Sequence, residues 1–339
     1  MKKSLIALIT ATLLSCAFLG GCACSGEKQL SFNLAPEKET LKYTVKYSED
    51  YIDSYKKDPT LNFDFQYGTG NYFSSCQKLS DRSDIKSDIS ELLNDKDIYE
   101  LTTGFSIDLT FTYKGKEYTR TETVNTKAYI APTALSLAPI YSEENSEYAI
   151  FSADSSDIMV TVLRTRTEIL YDQDNYSMIK KYQIFDVETA TDFTDAAKTS
   201  EYNGKYSFRS VIDNTELFFA MRDIAATLSE KSSADIPVVS PSFNDPTHVK
   251  ITNGGKSVDD FTIKYNGTEI TEAISYYDLY YRLSSVNASG IAQHLFVQTG
   301  ESTTIPDLKL PLKFAKPLYQ YGNIKSMGCL VFTLSEIER

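Results

Sequence analysis

Residues 105–124 have the sequence FSIDLTFTYKGKEYTRTETV, and the first half of this stretch alternates strictly between apolar and polar side chains. Such alternation predicts a strand with one buried face. Gly115, between two lysines, predicts a tight turn into a polar, Thr-rich return strand. A one-residue slip would expose the five apolar residues of the first strand, so the register of this hairpin should be fixed: Phe105, Ile107, Leu109, Phe111 and Tyr113.

Shorter stretches of the same kind occur along most of the chain. The chain has 24 Tyr and 18 Phe but no Trp, a composition typical of pleated, half-buried surfaces. Asn266-Gly267 is the strongest hairpin dipeptide and predicts a second tight turn. The further predicted strands lie near residues 43–47, 149–151, 158–163, 169–171, 206–211, 249–251, 258–265, 277–283, 294–297, 308–314 and 330–334.

Two stretches change from strand to helix periodicity. Residues 80–97 carry apolar side chains at helical spacing: Ile85, Ile89, Leu92 and Leu93. Asp213, followed three residues later by Glu216, predicts a capping box at the start of a second helix. That helix has one apolar stripe, which we expect to plug a curved sheet: Leu217, Phe218, Met221, Ile224, Ala225 and Leu228.

The predicted fold class is therefore α+β and β-dominated. We expect a curved, mostly antiparallel sheet, half-barrel-like, with one or two short packed helices. The β-rich globular domain should occupy residues 41–339, and a division into two sub-lobes would fall near residues 170–200.

The N-terminus predicts export. Lys2 and Lys3 precede an apolar run, and Leu19-Gly20-Gly21-Cys22 resembles a bacterial lipobox. This resemblance implies a lipoprotein signal peptide at residues 1–21, lipidation of Cys22 with fatty acyl chains such as palmitate, and a tether at residues 22–40. Two or three acyl chains would anchor the protein persistently to a membrane. Cleavage before Cys16 also fits the pattern but would leave an exposed apolar segment, and an ordinary cleaved signal is the other alternative.

The predicted location is the bacterial cell envelope, outside the cytoplasm and lipid-anchored, with the choice of membrane left open. The formal charge of the chain is −12, and loss of Lys2 and Lys3 makes it more negative. An acidic surface repels phosphates and anionic headgroups. We therefore expect no nucleic-acid partner and no attachment through a basic patch.

The cysteines and histidines give few chemical signals. With Cys22 lipidated, an exported setting would permit a Cys76–Cys329 disulfide, although Cys24 makes the count odd. No cysteine spacing backed by histidines indicates a metal site, and no cofactor is expected. His248 and His294 belong to no catalytic motif and are interpreted as strand residues.

Two polar stretches partly match ligand-binding motifs. Asp172-Gln173-Asp174-Asn175 starts like a calcium loop but lacks the Gly that follows, so we interpret it as a hairpin turn. Gly254-Gly255-Lys256-Ser257 has the end of a phosphate-binding loop without its first Gly or the helix, so we interpret it as a turn as well.

Aromatic residues between positions 276 and 281 could form a stacking platform. Alternation places the four tyrosines on both faces of one strand, which favours core and cross-strand packing: Tyr276, Tyr277, Tyr280 and Tyr281. The residues expected to line a ligand cleft or the core are Leu217, Phe218, Met221, Tyr277 and Tyr281.

The order of elements from the second helix onward resembles that of exported bacterial proteins of domain of unknown function 3108. The resemblance covers residues 200–338, with a looser echo at residues 41–67. In architecture the chain is also similar to the half-barrel proteins of the bacterial envelope, such as LolA-type lipoprotein carriers. Its quoted elements are Asp213 with the apolar stripe and Arg222, Leu310-Pro311-Leu312, and Tyr321-Gly322-Asn323. The resemblance implies a half-barrel fold and carries no activity with it.

Three functions compete at this level. The first is a non-enzymatic lipoprotein that binds an apolar small molecule or an envelope partner through the curved sheet. The second is a structural or interaction module that acts through its acidic surface. The third, a hydrolase with an unfamiliar site, lacks any catalytic motif, so we expect no enzyme.

Overall fold

The computed structural model describes residues 36–48, 65–79, 85, 89, 97–113, 115–132, 137–154, 157–186, 193, 195–206, 211–239, 246–283, 293–320 and 325–339. Within these ranges the strands form a single 16-stranded sheet, accompanied by one α-helix. The predicted class, a β-dominated fold with a curved, mostly antiparallel sheet, is confirmed. The signal peptide, Cys22 and the tether as far as residue 35 lie outside the described residues.

The strands are long and follow one another closely. They are β1 (Lys38–Ser48), β2 (Phe65–Tyr67), β3 (Gly70–Lys78), β4 (Tyr99–Tyr113), β5 (Lys116–Ile130), β6 (Pro139–Asp154), β7 (Asp157–Asp172), β8 (Ser177–Phe185), β9 (Ala196–Lys205), β10 (Ile212–Asp213), β11 (Ser233–Val239), β12 (Thr247–Tyr265), β13 (Thr268–Leu283), β14 (Gln293–Gln298), β15 (Pro311–Gln320) and β16 (Lys325–Glu338). The helix α1 spans Leu217–Thr227.

Neighbouring strands are mostly consecutive in sequence. The order across the sheet is β10-β11-β12-β13-β14-β15-β16-β1-β3-β4-β5-β6-β7-β8-β9, with β2 beside β4. A parallel pairing of β12 with β16, at Lys264–Glu336 and Tyr265–Ile337, closes the five strands β12 to β16 into a ring. Strands β10 and β11 extend from this ring beside β12, and the other strands extend from it through β1.

The hairpin of β4 and β5 has the predicted register. Its fifteen residue pairs run without a bulge from Tyr99–Ile130 to Tyr113–Lys116. Gly115 has a φ of 74°, which its missing Cβ permits without strain. Ile107, Leu109 and Phe111 are buried, so this strand buries the face that the alternation predicted.

The second predicted turn is confirmed as well. Tyr265 pairs with Thr268 across a two-residue loop, and Asn266 and Gly267 have φ values of 46° and 88°. Two positive φ values define the type I′ turn, whose twist suits the flanking strands.

Asp213 begins the helical segment, as predicted, but through a tighter first turn. Its carboxylate accepts a 2.8 Å hydrogen bond from the backbone N–H of Thr215, at the start of the 3-10 turn Asn214–Glu216. The α-helix therefore begins at Leu217. Apart from the half-buried Phe218, the predicted apolar stripe is buried in one cluster with side chains of β11 to β16 and β1.

Aromatic rings fill the contact between α1 and the sheet. Phe314 stacks on Phe332 with centroids 4.4 Å apart, and Phe218 packs on Phe314 at 4.3 Å. Buried aromatic pairs of this kind contribute about 0.5–1.5 kcal/mol beyond the area they bury. The helix thus plugs the sheet, as its periodicity predicted.

The entry of the chain into the fold differs slightly from the prediction. β1 begins at Lys38, before the expected boundary at residue 41, because Glu39 is buried. Its carboxylate binds the equally buried guanidinium of Arg222 on α1 at 2.5 Å and lies 3.3 Å from Nε of Arg339. Arg222 also donates to the carbonyl of Leu308 at 2.7 Å.

Two further expectations meet the structure only in part. Of the first predicted helix, residues 80–97, only Ile85, Ile89 and residue 97 lie among the described residues; the two isoleucines are buried against Tyr129 and Tyr141. In the region of the expected sub-lobe boundary, 170–200, strands β7 to β9 pair directly with one another within the one sheet.

Residues 254–257 do not form a turn, so that prediction was wrong. They lie inside β12 at a bulge, where Gly255 has a φ of 123° and the register shifts between Asn253 and Lys256. The first glycine is also required, because a Cβ on Gly254 would lie 2.3 Å from the ring of Tyr280. The glycines therefore serve a bulge.

The disulfide is excluded by the register. Cys76 and Cys329 are both free and buried. On β1, Cys76 lies opposite Glu39, whereas Cys329 lies opposite Ser48. The intervening length of strand corresponds to about 30 Å, far beyond the roughly 7 Å that a disulfide can bridge between Cα atoms.

In the described part of the chain, the helical segment is too short and too polar to span a membrane.

Candidate functional site

The five residues expected to line a ligand cleft or the core lie in the apolar core or pack against it. Leu217, Met221 and Tyr281 are buried, and Phe218 and Tyr277 pack against the same cluster. Tyr281 donates a 3.0 Å hydrogen bond to the backbone carbonyl of residue 315. A cavity beside Phe218 has a volume of about 10 Å³. That is room for about one water molecule and not for an apolar ligand.

The remaining aromatic and histidine residues occupy strands, as predicted. Tyr276 stacks on Phe296 at 4.4 Å, and Tyr280 packs on His294 at 4.5 Å. Nδ1 of His294 lies 2.9 Å from the carboxylate of Asp278 on the neighbouring strand. These are cross-strand contacts, of which the one at Tyr276 is buried, and the tyrosines do occupy both faces of β13.

The predicted turn at residues 172–175 is confirmed. It joins β7 to β8, and the Asp172 carboxylate accepts hydrogen bonds from the backbone N–H groups of Asp174 at 3.1 Å and Asn175 at 3.0 Å. A 2.7 Å hydrogen bond from the side-chain amide of Asn175, together with these backbone hydrogen bonds, lowers the pKa of Asp172. Within the described ranges, no three His, Cys, Asp or Glu side chains are grouped so as to hold a metal ion.

A cleft of about 290 Å³ lies on the opposite face of the sheet from α1, over β5 and β6. Ala128 and Ile130 of β5 point towards Phe219 of α1. Because side chains alternate along a strand, Asn125, Lys127 and Tyr129 point away from α1. The lining residues are Ile89, Asn125, Thr126, Lys127, Tyr129, Tyr141, Glu143 and Asn145. We call this pocket the outer cleft.

Three cross-strand pairs build the floor of the outer cleft. The antiparallel register places residue 125 opposite 145, 127 opposite 143, and 129 opposite 141. The pairs are therefore Asn–Asn, Lys–Glu and Tyr–Tyr. The tyrosine rings stack with centroids 6.1 Å apart and are buried under Ile85 and Ile89, whereas the other two pairs present hydrogen-bonding groups to the cleft.

Hydrogen bonds fix the polar side chains of the outer cleft. Glu143 accepts from the Tyr141 hydroxyl at 2.9 Å and from the Asn145 amide at 2.6 Å, using one carboxylate oxygen for each. Nε of Arg166, on β7, donates to the Asn145 amide oxygen at 2.9 Å. The Tyr141 hydroxyl also lies 3.0 Å from Glu168. Side chains held in this way are pre-organised for binding.

The charges around the outer cleft offset one another. The Lys127 ammonium lies 3.4 Å from Glu100, and the Arg166 guanidinium lies 3.6 Å from Glu143. Burial lowers the pKa of Lys127, but Glu100 and Tyr129 outweigh burial, and the pKa is raised. Burial and the two neighbouring glutamates raise the pKa of Tyr141. At neutral pH Lys127 is therefore an ammonium and Tyr141 a neutral phenol.

The inner face of the same strands carries a second polar cluster. Asp213 accepts short hydrogen bonds from Ser142 at 2.6 Å and from Tyr171 at 2.5 Å. Lys180 is only 4% exposed, and burial lowers its pKa to about 8. Burial likewise raises the pKa of Glu144. These side chains join the cap of α1 to β6, β7 and β8.

Comparison with known proteins finds solved structures with a similar fold but no matching family model. No protein-family model matches the chain, so the expected relation to domain of unknown function 3108 finds no support there. No curated protein matches it in sequence either. A crystal structure of a β-barrel-like protein of domain of unknown function DUF1849 from Brucella abortus is similar, with a TM-score of 0.48 and 7% sequence identity. The alignment covers 89% of this chain and 97% of the other.

Proposed function

We propose that this protein is a non-enzymatic lipoprotein of the bacterial cell envelope that holds a small polar ligand in its outer cleft. The observation that carries the proposal is the fixed network of Tyr141, Glu143, Asn145 and Arg166 around a cleft of about 290 Å³. Small-molecule sites begin at about this volume and use a few fixed polar groups.

The interior of the sheet supports this choice over an apolar ligand. The apolar face of β11 to β16 is occupied by α1, and the cavity beside Phe218 is about 10 Å³. A carrier of apolar molecules needs an empty apolar cavity of far greater size. The face that remains accessible for binding is the outer one.

The chemistry of Glu143 supports binding over catalysis. Both of its oxygens already accept hydrogen bonds, one from Tyr141 and one from Asn145. Hydrogen bonds to both oxygens stabilise the charged form and fix its orientation, whereas a general acid or base exchanges a proton with the substrate. A carboxylate that is fixed in this way and keeps further lone pairs suits the orientation of a ligand.

The lipid anchor supports the proposed location. Leu19-Gly20-Gly21-Cys22 has the lipobox pattern, and β1 begins at Lys38. The residues between Cys22 and Lys38 would form a tether between the lipidated cysteine and the fold. The outer cleft would then face the aqueous space beside the membrane. Intact mass spectrometry of membrane-extracted protein should find acyl chains on Cys22, and the Cys22→Ser variant should leave the membrane fraction. An unmodified Cys22 would remove the anchor from the proposal.

Ligand holding is tested by native mass spectrometry of the full chain extracted from bacterial membranes. We expect a small adduct that is lost from the Asn145→Ala variant and retained by Lys198→Ala, a change on the exposed strand β9. Circular dichroism should show both variants folded. A protein without an adduct, or an adduct that Asn145→Ala leaves unchanged, would contradict ligand holding at this cleft.

A further inference from the structure

We infer that the ligand of the outer cleft is a neutral, hydroxyl-rich molecule with the size of one or two sugar rings. This inference rests on the proposed function and specifies its ligand. Its basis is the chemical character of the two exposed residue pairs, Asn125–Asn145 and Lys127–Glu143.

The first step is the charge of the cleft. Lys127 is paired with Glu100, and Glu143 lies beside Arg166, so each charge has an opposite neighbour. A charged ligand would have to displace one of these neighbours or be buried against a like charge. Both cost free energy, because the ligand would remove an attractive neighbour or add a repulsive one. A neutral ligand avoids this cost.

The second step is the pattern of donors and acceptors. Each Asn side chain offers both a donor and an acceptor, Lys127 offers donors, and Glu143 retains acceptor lone pairs. Neighbouring strands are about 4.8 Å apart, and residues two positions apart on a strand are separated by about 7 Å. The four side chains thus cover an area close to that of one sugar ring, and hydroxyl groups can meet donors and acceptors alike.

The third step excludes an extended peptide bound through its backbone. Such peptides add a strand to a free sheet edge. β5 is paired with β4 and β6, and β6 is paired with β5 and β7, so the strands below the cleft have no free edge. Recognition here must use side chains, as recognition of small hydroxylated molecules does.

The fourth step concerns the end of the cleft. Tyr129 and Tyr141 are 5% and 6% exposed, so their rings close the cleft without offering an open stacking surface. The Tyr141 hydroxyl is already held by two glutamates. The aromatic pair therefore limits the length of the ligand and adds little affinity.

The test is saturation-transfer NMR on the full chain with defined probes. The saccharide probes are glucose, N-acetylglucosamine, maltose and chitobiose; the comparison probes are triglycine, acetate and inorganic phosphate. We expect saturable binding of at least one saccharide, weakened at least tenfold by Asn145→Ala and by Lys127→Met and unchanged by Lys198→Ala. Glu143→Gln, which keeps the shape but removes the charge, should also weaken binding.

The outcomes separate the ligand class from the proposed function. If none of the four saccharides binds while triglycine, acetate or phosphate does so and loses affinity in Asn145→Ala, the inference is overturned and the cleft remains a binding site. If no probe binds and native mass spectrometry finds no adduct, the proposed function fails as well. Saccharide binding that all variants retain would place the site elsewhere and overturn both.

Discussion

The two halves of the sheet have the same strand geometry but differ in the side chains on their inner faces. In the apolar half, β11 to β16 and β1, the inner face is a continuous cluster of Val, Ile, Leu and aromatic side chains packed on α1. In the polar half, β5 to β8, buried inner positions include Ser142, Ser146, Thr165, Thr167 and Lys180. The polar half also carries the outer cleft.

The apolar and polar halves of the sheet contribute differently to stability and to binding. Hydrophobic burial is large and needs no fixed partner, so the apolar half holds the fold together. Buried polar groups must each find a hydrogen bond, which orients them. The polar half therefore adds less stability and presents side chains in defined positions on both of its faces.

The largest expected effect comes from the ion pair inside the apolar half. Glu39→Ala leaves the Arg222 guanidinium buried without its carboxylate, and the free energy of unfolding should fall by about 3–5 kcal/mol. Chemical denaturation measures this loss. The control is Glu37→Ala, an exposed neighbour whose change should cost less than about 0.5 kcal/mol. A loss below about 1 kcal/mol for Glu39→Ala would mean that the pair does not fasten α1 to β1.

The second prediction compares one substitution in each half. Met221→Ala opens a cavity in the apolar core and should cost about 2–4 kcal/mol. In the polar half, Thr165→Val breaks the 2.8 Å hydrogen bond with Ser146 and should cost about 1 kcal/mol. Adding Ser146→Ala should restore part of this loss, because no unpaired hydroxyl then remains. Equal losses for Met221→Ala and Thr165→Val, measured by urea unfolding, would erase the distinction between the halves.

The third prediction is a pH dependence confined to the polar half. Burial lowers the pKa of Lys180 from 10.5 to about 8, although the neighbouring Glu144 and Asp213 oppose this shift. Between these values the unfolded chain binds more protons than the folded one. The contribution of Lys180 to the unfolding free energy should therefore rise with pH, by about 2 kcal/mol from pH 8 to 10.

The Lys180→Met variant isolates this contribution from that of the tyrosines and cysteines. The difference in unfolding free energy between the parent and the variant, followed from pH 7 to 10, should shift by that amount in favour of the parent. A difference that stays constant with pH would show that Lys180 titrates normally.

The smallest expected effect is that of a reducing agent, because no covalent link joins the distant strands β3 and β16. Tm should be the same with and without a reducing agent, because Cys76 and Cys329 are free. Peptide mapping after alkylation under denaturing conditions should recover both thiols as labelled peptides. A peptide that joins Cys76 to Cys329 would contradict the register of β1 with β3 and β16.

Sequence reasoning captured those elements whose signal is local. The alternation at residues 105–113, the Asn266-Gly267 turn and the apolar stripe from Leu217 each determine their own structure, because pattern and turn chemistry act over a few residues. The bulge at Gly254-Gly255 escaped it, since a bulge depends on the partner strand, here the ring of Tyr280.

The outer cleft could not be predicted for the same reason. Residues 125–129 and 141–145 are mostly polar, a composition that many exposed strands share. Their meaning depends on a register that places Asn125 opposite Asn145 and on Arg166 from a third strand. The spacing of these residues in the sequence does not indicate this arrangement.

The pairing of β16 with both β1 and β12 also sets the order of folding. Leu41 lies opposite Ile337, so β1 cannot pair with β16 until roughly 300 further residues have been synthesised. Contacts between such distant residues slow folding, because a long loop must close before they form. The hairpins between consecutive strands from β4 to β9 involve much shorter loops. The contact between β1 and β16 is therefore among the last that the chain can form.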